Sequence, residues 1–145
     1  MESKNAAPIF GYLIDRTAKS IKADLKRRFK DVGADITPEQ WLILDRLKDT
    51  EGIAQVELGN KTYKDAPTVS RIIDLLCKKG YAERLPDAED RRRFKIYITY
   101  AGRQILLDTH SAILSAREIG WQGLTTEDFV KLKQILSKIY ANTSP

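Results

Sequence analysis

Three consecutive arginines, Arg91 to Arg93, are the side chains whose type and spacing most clearly predict a chemistry in this sequence. Guanidinium groups this close together in a loop repel one another unless a partner lies nearby. Asp87, Glu89 and Asp90 precede them, and an acidic residue can hold one arginine in a fixed position while another projects. A projecting arginine suits the narrow minor groove of duplex DNA, where the phosphate potential is concentrated. The alternative is a solvated, ion-paired loop that contributes little to stability.

A second polar set lies upstream, on a predicted helix whose other face is apolar. The apolar residues recur at the three- and four-residue spacing of a buried helix face, namely Val69, Ile72, Ile73 and Leu76. The opposite face carries Thr68, Ser70, Arg71, Asp74 and Lys78. Short polar side chains and an arginine near a helix N-terminus suit the base edges of the major groove. Arg71 could bind a guanine edge or a phosphate, and a solvated surface helix would carry similar residues.

The segments around these residues predict how they are positioned. Asp65 is a predicted N-cap, and Gly80 after two lysines predicts the helix C-terminus. Beyond Gly80 the apolar period changes to two, with Phe94, Ile96 and Ile98 alternating with polar residues. A polar helix followed by a hairpin with an arginine tip is typical of a winged helix-turn-helix.

Five further helices are predicted, and with the hairpin they indicate a mainly α fold with a small β-wing. Thr37 with Gln40 forms a predicted capping box, with Pro38 at the first helical position. The predicted helices span 8–32, 38 to about 49, 53–61, 100–119 and from 125 or 126 to near the C-terminus. The first and last helices are amphipathic, and one small domain cannot cover them. We therefore expect the terminal helices to pack together and to pair with another subunit.

Composition and charge limit the classes of function. The 145 residues carry a net charge of +5, of which +4 falls between Lys61 and Lys95. One cysteine, Cys77, and one histidine, His110, provide neither a disulfide framework nor a structural zinc site. No apolar run approaches a membrane span, and the N-terminus lacks a signal-peptide pattern. We therefore expect a reducing, cytoplasmic setting, with no metal and no cofactor.

The sequence resembles the MarR (multiple antibiotic resistance regulator) family of winged-helix transcription factors. The resemblance is carried by Pro67 to Thr99, PTVSRIIDLLCKKGYAERLPDAEDRRRFKIYIT, preceded by Val-Glu-Leu at 56–58. It implies a homodimer that binds double-stranded DNA at a pseudo-palindromic operator and regulates transcription, most often as a repressor. It implies one domain, 1–145, with a DNA-binding module at 34–99 and helical dimerisation regions at 8–33 and 100–145.

The resemblance also assigns candidate DNA contacts. It implies that Asp90 and one of Arg91 or Arg92 belong to the wing contact. Thr68, Ser70 and Arg71 would belong to the recognition helix, and Lys78 and Arg93 complete the candidate DNA-binding set.

The sequence departs from the family pattern at three places. Many relatives have a Leu-Gly-apolar turn where this chain has Thr62-Tyr63-Lys64, and without glycine we expect ordinary backbone angles there. Ala66 stands where relatives often have a longer polar residue, which removes one expected base contact. Arg93 adds a third arginine, so the sequence leaves open which one enters the groove.

The resemblance further implies a small aromatic or anionic effector between the dimer helices and the DNA module. Candidate lining residues are Tyr12, Arg16, Trp41 and His110. Tyr12 and Trp41 are equally interpretable as core or interface residues, and His110 as an ordinary helix histidine. Cys77 lies beside the apolar face of its helix, which favours a structural thiol over a redox sensor.

Two other classes of protein compete with a DNA-binding regulator as interpretations of this sequence. An enzyme is not supported, because no base and nucleophile pair and no glycine-rich phosphate loop is present. A winged helix used only for protein contact, without specific DNA binding, remains the alternative. Salt dependence distinguishes a DNA-binding protein from a protein-contact module. Phosphate contacts weaken steeply as salt concentration rises, so the DNA affinity of the former should fall.

Overall fold

The computed structural model describes residues 3–145, with side-chain environments given from Ile9 onward. Within these residues, six helices and one small sheet make up a mainly α fold with a β-wing, as predicted. The elements are α1 Ser3–Asp31, α2 Pro38–Leu47, β1 Ile53–Ala54, α3 Gln55–Thr62, α4 Ala66–Lys78, β2 Ala82–Pro86, β3 Phe94–Ile98, α5 Tyr100–Gly120 and α6 Thr126–Thr143.

The first helix is longer than the sequence predicts, because it begins at Ser3 rather than at Pro8. It ends before Gly33, whose φ of +71° is the left-handed conformation expected after a helix. Phe29 near its C-terminus is buried in the core, whereas Phe10 and Ile21 are exposed. Only the C-terminal part of α1 is therefore anchored in the hydrophobic core.

The start of α2 confirms the predicted capping box. Thr37 Oγ1 accepts a hydrogen bond from the Gln40 backbone at 3.2 Å, and the Thr37 backbone donates to Gln40 Oε1 at 3.2 Å. Lys79 Nζ donates to the same amide oxygen at 2.9 Å and pairs with Asp35 at 3.2 Å. The end of α4 is thereby fastened to the start of α2.

The predicted helix over 53–61 is wrong at its start. Ile53 and Ala54 form the strand β1, which pairs antiparallel with β3 and places Ile53 opposite Ile96. The chain enters the sheet through Gly52, whose φ is +102° and over whose Cα the Tyr97 ring lies so closely that a Cβ would overlap it. The predicted two-stranded wing is therefore part of a three-stranded antiparallel sheet of order β1–β3–β2.

The core lies between α2, α3, α4 and the sheet, and the apolar face of α4 is its centre. All four predicted α4 residues are at most 1% exposed, as are residues of α2, α3 and β3. The buried set comprises Val69, Ile72, Ile73, Leu76, Ile43, Leu44, Leu47, Leu58 and Ile96. Burial of this apolar surface fixes α4 with its polar face outward.

The last two helices differ in how they are packed. Thr99 caps α5, accepting from the Gly102 backbone at 3.0 Å and donating to the Gly80 carbonyl at 2.6 Å. Helix α5 packs along α1. Helix α6 starts with a Thr125 capping box, yet none of its residues is buried. Within one chain, α1 and α5 therefore pack together, whereas α6 buries no residue.

Candidate nucleic-acid interface

Helix α4 presents its polar N-terminal turns to solvent. Asp65 caps the helix by accepting from the Thr68 backbone at 2.8 Å. Hydrogen bonding to the Thr68 side chain and backbone lowers the pKa of the Asp65 carboxyl. Thr68 and Ser70 are half-buried and Arg71 is exposed, while Lys78 is exposed at the opposite end of the helix. The cap and the buried apolar face together orient these four predicted contact residues.

The turn before α4 corrects the prediction of ordinary backbone angles. Tyr63 has φ 55° and ψ 38°, the left-handed conformation that glycine adopts most readily. The following residue, Lys64, donates its backbone N–H to the Gly59 carbonyl at 3.2 Å and closes the turn. A tyrosine therefore supplies the left-handed backbone geometry that glycine adopts most readily.

The loop between β2 and β3 is closed by its own backbone and by Asp90. The Asp87 backbone donates to the Arg93 carbonyl at 3.0 Å, and the Arg93 backbone donates to the Asp90 carbonyl at 3.0 Å. The Asp90 carboxylate accepts from the Arg92 backbone at 3.0 Å. These bonds give the arginine tip a defined shape at the surface.

The three arginines of this loop are not equivalent. Asp90 lies 3.6 Å from Nε of both Arg92 and Arg93, whose side chains are 94% and 70% exposed. Arg91 is exposed and forms no ion pair with any residue that the structure describes. The Asp90 carboxylate thus associates with two of the cations and leaves the third free.

Arg84 of β2 joins the hairpin to the helices, and the sequence analysis missed it. Its Nη1 donates to Asp74 of α4 at 2.8 Å, and its Nη2 donates to Gln55 of α3 at 3.2 Å. The guanidinium carbon also lies 6.0 Å from the centre of the Phe94 ring in β3. This one side chain therefore sets the wing against α4, although nothing in the local sequence singles it out.

A cavity of about 460 Å³ lies between α2 and α5. It brings together two of the predicted effector residues, Trp41 and His110, but not Tyr12 or Arg16. Arg16 instead lies over the Tyr12 ring on α1, at 5.8 Å from the ring centre. The prediction also omitted three cationic residues of the lining, Lys48, Arg103 and Arg117.

The polar groups around this cavity are unevenly paired. Trp41 Nε1 is buried and has no hydrogen-bond partner among the residues that the structure describes. Lys48 Nζ lies 2.8 Å from Asp45, which raises the pKa of the lysine, and Arg103 donates to the Lys48 carbonyl at 3.0 Å. A buried donor without an acceptor costs free energy, and this atom is not accessible from the cavity.

The terminal helices expose apolar side chains along much of their length. On α1 and α6 these include Ile9, Phe10, Leu13, Ile14, Phe129, Leu132, Leu136 and Tyr140. Contiguous apolar surface of this extent is typical of an interface. Within residues 3–145, no helix is long and apolar enough to cross a membrane, and no cluster of His, Cys, Asp and Glu is arranged to hold a metal ion.

Comparisons with known proteins agree with this geometry. A sequence model of the MarR family matches residues 34–93. The multiple antibiotic resistance protein MarR of Escherichia coli (strain K12) is 28% identical over 106 residues, which cover 72% of this chain and 74% of that protein. The HTH-type transcriptional regulator YybA of Bacillus subtilis (strain 168) is 26% identical over 129 residues, covering 89% and 85%.

A solved structure extends the likeness over nearly the whole chain. The crystal structure of a mutant MarR from E. coli complexed with operator DNA superposes with a TM-score of 0.83 at 26% identity. The superposition covers 93% of this chain and 96% of that one.

Proposed function

We infer that this chain, which belongs to the MarR family, is a DNA-binding regulator of transcription. The observation that carries the proposal is the joint exposure of the α4 polar face and the arginine loop, with Arg84 joining the two. The likeness to E. coli MarR complexed with operator DNA supports the same conclusion.

In this proposal α4 enters the major groove and the wing enters the adjacent minor groove. The N-terminal turns of α4 place Thr68 and Ser70 near base edges, and Arg71 binds a guanine edge or a phosphate. Arg91 is our choice for the minor-groove arginine, because Asp90 is shared by the other two loop cations. Arg92 and Arg93 then neutralise phosphates on either side.

The regulator acts as a homodimer in this proposal, most often as a repressor that blocks transcription from its operator. The exposed apolar faces of α1 and α6 would be covered by the same faces of a second copy. A two-fold dimer places two α4 helices and two wings on one side, so the operator would be pseudo-palindromic.

A small anionic, aromatic effector is a second part of the proposal, and the cavity between α2 and α5 is its site. Arg103 and Arg117 would supply positive charge to an effector carboxylate, and the Trp41 ring would line the site. Such a ligand reduces DNA affinity only if it binds one state of the dimer more tightly than the other. The favoured state must be the one in which the separation of the two α4 helices does not fit the operator. Titration with benzoate tests the site, with Trp41 fluorescence followed in a Trp121→Phe variant. Unchanged emission at saturating benzoate would contradict this assignment.

Selection of bound DNA from a random duplex pool tests the central proposal. We expect a two-fold-related consensus with half-sites about one helical turn apart, and an affinity that falls steeply with salt. Arg71→Ala and Arg91→Ala should each weaken binding roughly tenfold or more, and Arg92→Ala less. Lys138→Ala on α6 is the matched control, since it removes an exposed cation far along the chain from both segments.

Two outcomes would overturn the proposal. Weak duplex binding that is insensitive to salt and to Arg71→Ala would favour the alternative, a winged helix used for protein contact. Deletion of residues after Leu124 should abolish dimers, because α6 carries much of the exposed apolar surface. Sedimentation that shows an intact dimer after this deletion would refute the assigned interface.

A further inference from the structure

Tyr63 combines a strained backbone with an exposed aromatic ring. Tyr63 lies in the turn between α3 and α4 and has a positive φ. The residue is 79% exposed to solvent. Left-handed backbone is unfavourable for a residue with a Cβ, and asparagine or glycine would tolerate it better. An exposed tyrosine in such a position calls for a reason beyond the turn itself.

That reason is supplied by the ring of Tyr140 in α6. The two ring centres lie 5.4 Å apart and the planes meet at 67°, an edge-to-face arrangement that aromatic pairs favour. Tyr140 lies close to the end of α6, a helix that buries none of its own residues within the chain. The ring pair therefore connects the DNA module to the helix that carries much of the dimer surface.

The turn is joined to α4 by a short segment that two hydrogen bonds hold in place. Lys64, next to Tyr63, is bonded to Gly59, and Asp65 caps α4. A displacement of the Tyr63 backbone would therefore be passed to the N-terminus of α4, the part that we propose meets base edges.

We propose that Tyr63 and Tyr140 are positioning residues, whose contact fixes α4 relative to α6 and so sets the separation of the two α4 helices in the dimer. The inference rests on the proposed function, because it concerns the spacing with which a dimer meets its operator. Neither tyrosine needs to touch DNA for this role.

Spin labels on α4 test the inference without DNA. The label is attached at Lys78→Cys in a Cys77→Ala background, and the distance between the two labels of a dimer is measured by pulsed dipolar spectroscopy. We expect one narrow distribution for the parent protein and for Tyr140→Phe, which keeps the ring pair. Tyr140→Ala and Tyr63→Gly should broaden the distribution. Each should also weaken operator binding roughly two- to tenfold, the population shift that loss of one ring pair allows.

Two variants separate positioning from general stability. Tyr63→Gly relieves the backbone strain, so its thermal midpoint should not fall although its distance distribution broadens. Tyr100→Ala removes another tyrosine that is 84% exposed and should change neither quantity. Distributions that stay narrow in both Tyr63→Gly and Tyr140→Ala would overturn the inference. A parent protein without any dipolar signal would contradict the proposed dimer itself, and the inference with it.

Discussion

Replacing Arg84 should loosen the wing from α4. The side chain is 25% exposed, and its guanidinium contacts Asp74 at 2.8 Å, Gln55 at 3.2 Å and the Phe94 ring at 6.0 Å. Arg84→Ala removes all three contacts at once and leaves the backbone of β2 unchanged. No other side chain in the described part of the chain connects α3, α4 and the hairpin in this way.

The expected loss follows from the individual contacts. An ion pair whose carboxylate is 60% exposed contributes at most about 1 kcal/mol, because solvent screens it. A hydrogen bond to a neutral amide adds about 1 kcal/mol, and an exposed cation–π contact adds about 0.5 kcal/mol. We therefore expect Arg84→Ala to lower the free energy of unfolding by about 2 kcal/mol.

Urea unfolding at a fixed protein concentration measures this loss, since a dimer's stability depends on concentration. Asp74→Asn and the double variant complete a cycle, which should give a coupling of about 0.5–1 kcal/mol for the Arg84–Asp74 pair. Operator affinity should fall as well, because the wing no longer keeps a fixed position beside α4. Arg103→Ala is a control, because among the described residues this arginine is hydrogen-bonded only to the backbone carbonyl of Lys48.

An additive double-mutant cycle would show that Arg84 and Asp74 are not coupled. An Arg84→Ala unfolding curve equal to that of the wild type would show that the three contacts do not stabilise the fold. A third contrary result would be a lower free energy of unfolding for Arg84→Ala with unchanged operator affinity. The last result would mean that the wing is positioned by the strand pairing of β2 with β3 alone.

Gly102→Ala should destabilise the protein strongly, by about 3 kcal/mol or more in urea unfolding, because its Cβ would overlap the backbone carbonyl of Tyr81, which cannot rotate away. Asp65 stabilises α4 as an ionised cap, and the Thr68 hydrogen bonds lower its pKa below the ordinary value of 3.8. Its contribution to stability is therefore complete above pH 3.8 and is lost as the pH falls through the lowered pKa of the folded state. Between pH 5 and pH 2 the free energy of unfolding should fall less for Asp65→Ser than for the wild type. Parallel plots of this free energy against pH would argue against an ionised cap. Burial raises the pKa of the Cys77 thiol, so native protein should react with iodoacetamide more slowly than glutathione at pH 7, with unfolded protein as the control; an equal rate would show that the thiol is open to solvent.

Features set by neighbouring residues could be predicted from the sequence. The Thr37 and Asp65 caps join groups three residues apart, and the α4 stripe is a periodicity within one helix. Bonds this local form in the same way whatever the rest of the chain does. The order of helices, the hairpin and the exposed arginine loop all follow from signals of this kind.

Features that join distant parts of the chain could not be predicted. The local sequence predicts that Ile53 begins a helix, but in the fold it pairs with Ile96 in a sheet. This pairing joins residues far apart in the chain, so local propensity does not predict it. Tyr63 adopts a glycine-like backbone beside the Tyr140 ring, which a local propensity cannot reveal. The effector residues were chosen by type, and only folding showed that Trp41 and His110 share a cavity with Arg103 and Arg117 while Tyr12 does not.

The sequence by itself determined which segments form helices, where α2, α4, α5 and α6 begin, and which charges cluster on the helix and loop that we propose for DNA. The tertiary structure alone decided how these parts are held together. Arg84 shows the physical reason, since its partners lie 10 and 29 residues away in the chain, and their proximity exists only after the apolar faces between them are buried.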